Sequence, residues 1–344
     1  MIRILCIPGN GIGPIVVKCG KAIVEAVLER EKIKYKLDTL TLSEKEYLNP
    51  TKEQTEKIIS TCRKYDYILF GAIGVKNKKQ NMYGGGLILA LRKELDLYIN
   101  LRPVKEMLSE LNPLENKKFF DIAVVRENTE DAYLNVGYRT NVGEYNEIAV
   151  QEMQYTRQKT QMTIKYAFEL AQERKKHITL CDKSNVLTYG HGMWQEIFYA
   201  MSSKYPDVLT DHLYIDSMAA SLIRNPEKFD VIVTTNLFGD ILSDLVAELQ
   251  GGIATAGSLN FGENRPTLVE PVHGAAFDLV EPQYCNPIGM INSIIMMIHQ
   301  MGMHEQSKYM WNILKSVLQE GEATPDLGGT LAADEFTLKY ISKL

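Results

Sequence analysis

The run IRILCIPGNGIGPIVVKCGKAIV, residues 2–24, carries an apolar, β-rich stretch into a helical pattern through Gly9, Gly11 and Gly13. Its glycines pose the first question about the fold. A dinucleotide-binding fingerprint needs G-x-G-x-x-G, whose last glycine allows close helix–strand packing, and an acidic residue about 20 positions later for the ribose hydroxyls. Here the spacing is G-x-G-x-G. Pro14 follows at once, and proline suits the first turn of a helix, where its missing N–H costs nothing. Asp38, closing a possible strand at 33–37, stands where a ribose-binding acid would. Spacing alone makes a weak match, so a glycine turn between strand and helix is the plainer reading.

Outward from this turn the same alternation recurs. β-rich runs lie at 2–7, 67–70, 120–125, 177–181, 212–215 and 231–234, with helical patterns at 16–30, 51–63, 156–174, 192–205 and 241–249. Strand and helix in turn imply an α/β protein with a substantially parallel sheet. Residues 138–150 break the rhythm with short β-like pieces and polar turns, the pattern of a hairpin arm. At 344 residues and 45% hydrophobic content the chain can bury a core large enough for two domains. No linker or internal repeat divides them, so they are expected to interleave.

Charge and cysteine usage exclude several classes. The 38 basic and 43 acidic side chains leave a net charge of -5, with no basic stripe to track phosphates, so nucleic acid is not an expected partner. The apolar stretch 288–298 is too short and interrupted to span a bilayer, and no charged region with an apolar signal core opens the chain, so a cytoplasmic protein without a membrane partner is expected. Cys6, Cys19, Cys62, Cys181 and Cys285 are widely and irregularly spaced without a CxxC pair. They read as small buried apolar residues, not disulfides or a thiolate metal site.

Two groups of charged residues carry chemistry. Arg92 and Arg102 lie in ALRKELDLYINLRPV and Arg126 in VVRENTEDAY. Each alone reads as a solvated side chain or structural ion pair, but arginine suits bidentate carboxylate recognition, and three converging would hold a di- or tricarboxylate. Downstream, Asp216 ends the expected strand HLYID, and Asp240 and Asp244 sit four apart in NLFGDILSDLVAEL. That spacing puts both carboxylates on one helical face, with Asp240 favoured by the helix dipole if it falls in the first turn. Like charges repel there unless a cation intervenes, and an all-oxygen cluster suits Mg²⁺ or Mn²⁺ rather than zinc.

The ordered set IPGNGIGP, LRKELDLYINLRP, VRENTEDAY, YTR, CDKSNVL, YPDV with YID, TTNLFGDILSD, EPVHGAAFD, NP and TPDLGG resembles the β-decarboxylating dehydrogenases. This is the family of isopropylmalate, isocitrate, homoisocitrate and D-malate or tartrate dehydrogenases. The resemblance covers essentially the whole chain and is closest in pattern to 3-isopropylmalate dehydrogenase. It implies an α/β, two-domain isopropylmalate dehydrogenase-like fold sharing one large mixed sheet, with a non-Rossmann cofactor site. Asp38 is then a decoy. Residues 1–98 and 251–344 would form the cofactor-binding domain. Residues 99–250 would form the metal, substrate and dimerisation domain, with its arm near 138–150.

The resemblance also assigns roles. Arg92, Arg102 and Arg126 match the arginines that hold the malate-part carboxylates, and Asp216, Asp240 and Asp244 the ligands of the divalent metal. Lys183, with its neighbouring aspartate, matches the acceptor of the hydroxyl proton. Asp216 counts among the catalytic groups as well as the ligands, and Tyr133 matches the acid that protonates the carbon vacated by carbon dioxide. For the cofactor, His273, Gly274 and Asn286 match residues near the adenine and phosphates, and Glu270 a further contact. Asp278 matches the ribose partner, and an acid there favours NAD over NADP. A homodimer with shared sites follows, Lys183 and Asp216 reaching into the partner's.

Departures from the family pattern bear on the substrate. Asn10 and Ile15 replace an acidic pair in the glycine turn, Ala275 and Phe277 replace a hydroxyl residue and a proline in the cofactor loop, and residues 161–163 replace a charged segment. Ile88 and Leu89 stand where isopropylmalate enzymes are apolar, whereas isocitrate enzymes carry hydroxyl and amide groups at the positions of Gly86 and Ile88. An apolar pocket disfavours a third carboxylate. Gly85, replacing a glutamate, points to a larger or modified 2-alkylmalate-type acid. Isocitrate, homoisocitrate, D-malate or tartrate turnover, a regulatory paralogue without turnover and a plain carboxylate-binding module are the alternatives.

Overall fold

The computed structural model describes residues 1–76, 86–115 and 118–344. Gly85 lies outside the described residues. The strands in chain order are β1 Ile2–Ile7, β2 Tyr35–Thr39, β3 Tyr67–Phe70, β4 Ile99–Lys105, β5 Asp121–Glu127, β6 Gly137–Thr140, β7 Ile148–Gln151, β8 His177–Asp182, β9 Leu209–Tyr214, β10 Val231–Thr234, β11 Gly257–Phe261 and β12 Thr267–Pro271. Ten of them belong to one mixed sheet and β6 pairs with β7 alone. No described helix is long and apolar enough to cross a membrane.

The chain divides into two compact units. The first comprises Met1–Leu97, Lys105–Lys117 and Val246–Leu344, and the second Tyr98–Val104 and Lys118–Leu245. These boundaries differ from the expected 99–250 at residue 98, at 105–117 and at 246–250. Met107 is buried in the core of the first unit, with Leu108 and Leu111 packed against it, so this segment sides with that core.

In the first unit the strands run β2-β1-β3-β12-β11. The pairs β1–β2, β1–β3 and β3–β12 are parallel, and β11–β12 is antiparallel. One side is covered by helices Gly13–Arg30, Ile288–Gln300, His304–Gln319 and Ala333–Lys343, which contribute Val16, Ile291, Leu314 and Phe336 to a single cluster. The stretch 288–298 lies within one of these helices. Its buried Ile288, Ile291, Ile294, Met297 and Ile298 recur at helical spacing on the face toward the core, and the partly buried Ile295 and Met296 carry the apolar character past that face.

The glycine turn is built for backbone proximity. Gly9 and Gly11 have φ of 75° and 58°. A Cβ on Gly9 would sit 2.2 Å from the Ala72 carbonyl oxygen, and one on Gly11 2.1 Å from that of Ala275. Pro14 occupies the first turn of helix Gly13–Arg30, as its chemistry predicts. Asp38 accepts a hydrogen bond from the Tyr65 hydroxyl at 2.9 Å and pairs with Lys36 at 2.8 Å.

Asn10 explains its own departure from an acid. Its Nδ2 donates to the Gly74 carbonyl at 2.9 Å while its Oδ1 accepts from the Gly74 N–H at 2.9 Å. A carboxylate can make only the second bond and would face a carbonyl oxygen with the other. Asn10→Asp is therefore expected to cost about 1–2 kcal/mol, within the range for an unmade, partly buried hydrogen bond. Urea unfolding checks this through a lower midpoint at unchanged slope; an unchanged midpoint would show that the amide donor is dispensable.

In the second unit the order is β4-β5-β10-β8-β9. The β5–β10, β8–β10 and β8–β9 pairs are parallel, and all four residues of central β10 are buried, the continuous apolar run of a strand covered on both faces. Helices Arg157–Glu173 and Gly190–Ser202 pack Phe168 against Phe198 at 5.3 Å between ring centroids. β6 and β7 pair antiparallel from Gly137↔Gln151 to Thr140↔Ile148, a hairpin at the expected arm. Tyr138, Val142, Tyr145 and Ile148 on it are exposed.

Candidate active site

Strand ends assemble the polar residues of the second unit. Thr234, last in β10, is registered with Arg126 of parallel β5, and helix Asn236–Gln250 begins two residues later. That helix runs beside the Arg126 side chain, which is fully buried. Asn236 Oδ1 accepts from Arg126 Nε at 2.9 Å and Nη2 at 2.7 Å, while Arg126 Nη1 donates to Asp240. Gly239 is required at this contact, because a Cβ there would lie 2.5 Å from Arg126 Cγ.

Arg102 of β4 reaches the same helix face. Its Nη1 donates to Ser243 Oγ at 2.7 Å and Asp244 Oδ1 at 3.3 Å, and its Nη2 lies 3.4 Å from Asp240 Oδ1. The four-residue spacing does align both carboxylates, and the positive charge between them is Arg102's guanidinium. Asp240 is the fifth residue of its helix, not part of the first turn, because the helix starts directly after β10 at Asn236.

Tyr133 completes this cluster. Its hydroxyl donates to Asp240 Oδ2 at 2.5 Å, and the Arg126 guanidinium lies 5.1 Å from its ring centroid. The tyrosine sits in a single 3₁₀ turn, Ala132–Leu134, between Asp131 at φ 73° and Asn135 at φ 53°. Upstream, burial pushes the Glu127 carboxyl up to about 7, and it binds the Thr129 and Glu130 amides at 2.7 and 2.9 Å, tightening the loop that leads to Tyr133.

Lys183 and Asp216 meet by the same logic. Asp182 ends β8 opposite Tyr214, which ends β9, so the residues that follow emerge side by side. Lys183 Nζ donates to Asp216 Oδ1 at 2.5 Å, and this bond holds the Asp216 carboxyl below its ordinary value. Asp216 does not end a strand as the sequence suggested. β9 stops at Tyr214 and Asp216 lies in the first turn of helix Ile215–Arg224, where an acid complements the exposed N–H groups. Among the described residues no three His, Cys, Asp or Glu side chains gather closely enough to hold an ion.

The first unit holds the remaining candidates. Arg92 donates to Glu270 Oε1 at 3.0 Å, Asn260 Nδ2 donates to the same oxygen at 2.8 Å, and Arg92 Nε is buried without an acceptor. Glu270 thus anchors an arginine. His273 is buried, its Nδ1 lies 3.0 Å from the Gly274 carbonyl, its Nε2 has no partner, and burial holds its pKa below the usual value. Gly274 and Asp278 are exposed on the same loop. Asn286 Nδ2 donates to Asp326 at 2.8 Å and its Oδ1 accepts the Ile288 N–H, capping the helix that follows. Ile88 and Leu89 are half-buried in helix Gly86–Glu94, with Ile88 packed on the core. A Cβ at Gly86 would meet the Leu48 carbonyl oxygen at 2.4 Å.

Residues 3–341 match the isocitrate/isopropylmalate dehydrogenase family. This chain belongs to that family. It is 35% identical over 99% of its length, and 98% of the relative's, to a probable tartrate dehydrogenase/decarboxylase of Bacillus subtilis. A 3-isopropylmalate dehydrogenase of Archaeoglobus fulgidus is 36% identical over the whole of both chains. The isocitrate dehydrogenase of Methylococcus capsulatus superposes with a TM-score of 0.86 at 28% identity, over 100% of this chain and 99% of that one. The protein is therefore an oxidatively decarboxylating dehydrogenase of a family that uses NAD(P) and a divalent metal.

Several residues around the candidate site carry no signal in the sequence. Gly239, Asn236, Asp131, Tyr155 and His191 all contact the cluster or its supports. A glycine or histidine inside a helical pattern carries no period of its own, so only the fold reveals what each touches.

Proposed function

We propose that this family member oxidises and decarboxylates a 3-substituted malate with an uncharged substituent, 3-isopropylmalate or a close relative, using NAD and Mg²⁺ or Mn²⁺. The observation that supports it most is the meeting of Arg102, Arg126 and Tyr133 on Asp240, beside Asp244. Two buried arginines supply bidentate donors for the malate carboxylates. Against a third carboxylate stands Gly86, where the Leu48 carbonyl leaves no room for a serine side chain. Ile88 beside it is apolar.

The donor set fits the cofactors. Asp240 and Asp244 are partly exposed, all-oxygen donors, and with Asp216 of the partner subunit they would hold the cation. When bound, it supplies polarisation of the hydroxyl and carbonyl oxygens. In its neutral form, which a bound cation nearby would favour, Lys183 Nζ would accept the proton of the C2 hydroxyl, and bound NAD would supply the hydride acceptor. The β-carboxylate then leaves as carbon dioxide, its bonding electrons remaining on the substrate, and the Tyr133 hydroxyl delivers a proton to C3. His273, whose buried Nε2 awaits a partner, Gly274, Asp278 and Asn286 would hold NAD, with Glu270 positioning Arg92. The exposed apolar hairpin favours a homodimer, and the resemblance makes its sites shared. Five free, buried cysteines suit a reducing cytoplasm.

The test is NADH formation by purified protein with 3-isopropylmalate, isocitrate, homoisocitrate, D-malate and tartrate, with and without chelator, alongside light-scattering mass. We expect an alkylmalate to lead, turnover to vanish on chelation, NADP to be inferior and the mass to be that of a dimer. Isocitrate as the best substrate would sink the uncharged-substituent reading, and a fully active monomer would sink the shared site.

A further inference from the structure

Behind the candidate site runs a partly buried hydrogen-bond chain that the reaction itself does not use. The Lys183 backbone N–H donates to His191 Nδ1 at 2.9 Å, His191 Nε2 lies 3.1 Å from the Tyr155 hydroxyl, and that hydroxyl donates to Asp131 Oδ1 at 2.8 Å. The other Asp131 oxygen accepts the Leu237 N–H at 2.9 Å, three residues before Asp240. Its own backbone carries the Ala132–Leu134 turn that presents Tyr133. We propose that His191, Tyr155 and Asp131 form a positioning unit that fixes the backbone carrying Lys183 and the turn carrying Tyr133 to the Asp240 helix, so that in a shared-site dimer one unit places both the Lys183 that serves the partner's site and the Tyr133 that serves its own.

The proton inventory leaves one arrangement. A carboxylate only accepts, so Tyr155 donates to Asp131, and its oxygen is free to receive a proton from His191 Nε2. His191 Nδ1 must then accept from Lys183, which requires the neutral ring with its proton on Nε2. Every donor meets an acceptor. Packing around the chain shows that it is built, not incidental. His191 and Asp131 are completely buried. The His191 ring meets Tyr155 and Phe238 edge-on at 5.4 and 5.1 Å between centroids. Gly190 admits the Tyr155 ring, since a Cβ there would lie 2.5 Å from two of its carbons. Asp131 holds φ 73° with ψ -152°, a backbone conformation that costs a non-glycine residue and persists where contacts over-determine it. Here those contacts are the hydrogen bonds to its carboxylate and its N–H to the Gln154 carbonyl at 2.9 Å.

None of the three residues needs to touch substrate, so the expected signature is a loss of turnover without a loss of binding. Misplacing a proton-transfer group by a fraction of an ångström is costly to rate. This inference rests on the proposed function, and one experiment separates the two. In full-length protein, H191L and Y155F are expected to lower kcat about tenfold while KM for the hydroxy acid and for NAD stays within about threefold. H191N, of similar size to H191L but offering an amide oxygen to the Lys183 N–H, is expected to recover most of that loss. Circular dichroism monitors folding of each variant, and Y155F keeps the ring should the His191 variants fold poorly. Full kcat in H191L and Y155F, or no advantage of H191N over H191L, overturns the positioning unit while leaving the function intact. Wild-type protein silent on every acid overturns the proposed function and this inference with it.

Discussion

Lys183→Met is expected to lower kcat by about 10²–10⁴-fold, the usual contribution of a positioned proton-transfer group, while barely changing stability. Methionine keeps the length and apolar stem of the side chain and loses only the amine. That amine is bonded to Asp216, whose side chain is 67% exposed, so its removal strands no buried charge. A pair this exposed contributes little to stability. The Lys183 ammonium also lies 5.6 Å from the Tyr214 ring centroid, a further small term lost with it. Steady-state NADH production and a thermal melt decide the matter together. A variant that retains more than about a tenth of wild-type kcat would show that another group takes the hydroxyl proton.

Gly239→Ala pits two magnitudes against each other. Alanine inside a helix is favoured over glycine by about 1 kcal/mol, so helix propensity alone predicts a more stable protein. The new methyl group, however, would lie 2.5 and 2.6 Å from Arg126 Cγ and Cβ. Those atoms are at the root of a fully buried side chain whose guanidinium is tied to Asn236 and Asp240. They cannot retreat without dragging the guanidinium off its partners. Overpacking of this kind costs about 1–3 kcal/mol, and buried charged hydrogen bonds are lost in addition, so we expect net destabilisation. Because Arg126 is proposed to grip a substrate carboxylate, KM for the hydroxy acid should rise by about 10–100-fold, the equivalent of one charged hydrogen bond at about 1.5–3 kcal/mol. A G239A protein that is more stable and binds substrate normally would mean that Arg126 has slack.

The regular parts of the fold were legible because they repeat. The runs at 2–7, 67–70 and 231–234 match β1, β3 and β10, and their continuous apolar character follows from burial in a parallel sheet. The hairpin near 138–150 showed itself through short β-like pieces between polar turns, and β6 and β7 are there. Less legible were β11 and β12, whose antiparallel pairing interrupts the βαβ rhythm that guided the reading. Helix Ile215–Arg224 was hidden because HLYID continues β-rich residues across its start, leaving Asp216 on the wrong side of a boundary. At the candidate site, residue types and order pointed to Arg102, Arg126, Tyr133, Asp240 and Asp244, which the fold brings together. Nothing in the sequence pointed to Asp131, Tyr155 and His191. The bonds that join them to one another and to the Asp240 helix span 24 to 106 residues of chain, and a hydrogen bond over that distance leaves no periodic trace.

All five cysteines are buried and unpaired, and burial pushes the thiols of Cys6, Cys62 and Cys285 up to about 12. Since the thiolate is the reactive form, the native protein is a blank background for maleimide chemistry. A cysteine introduced at fully exposed Tyr145 would be the sole fast-reacting site, so a fluorophore or spin label could be installed at the hairpin tip without first deleting any natural thiol.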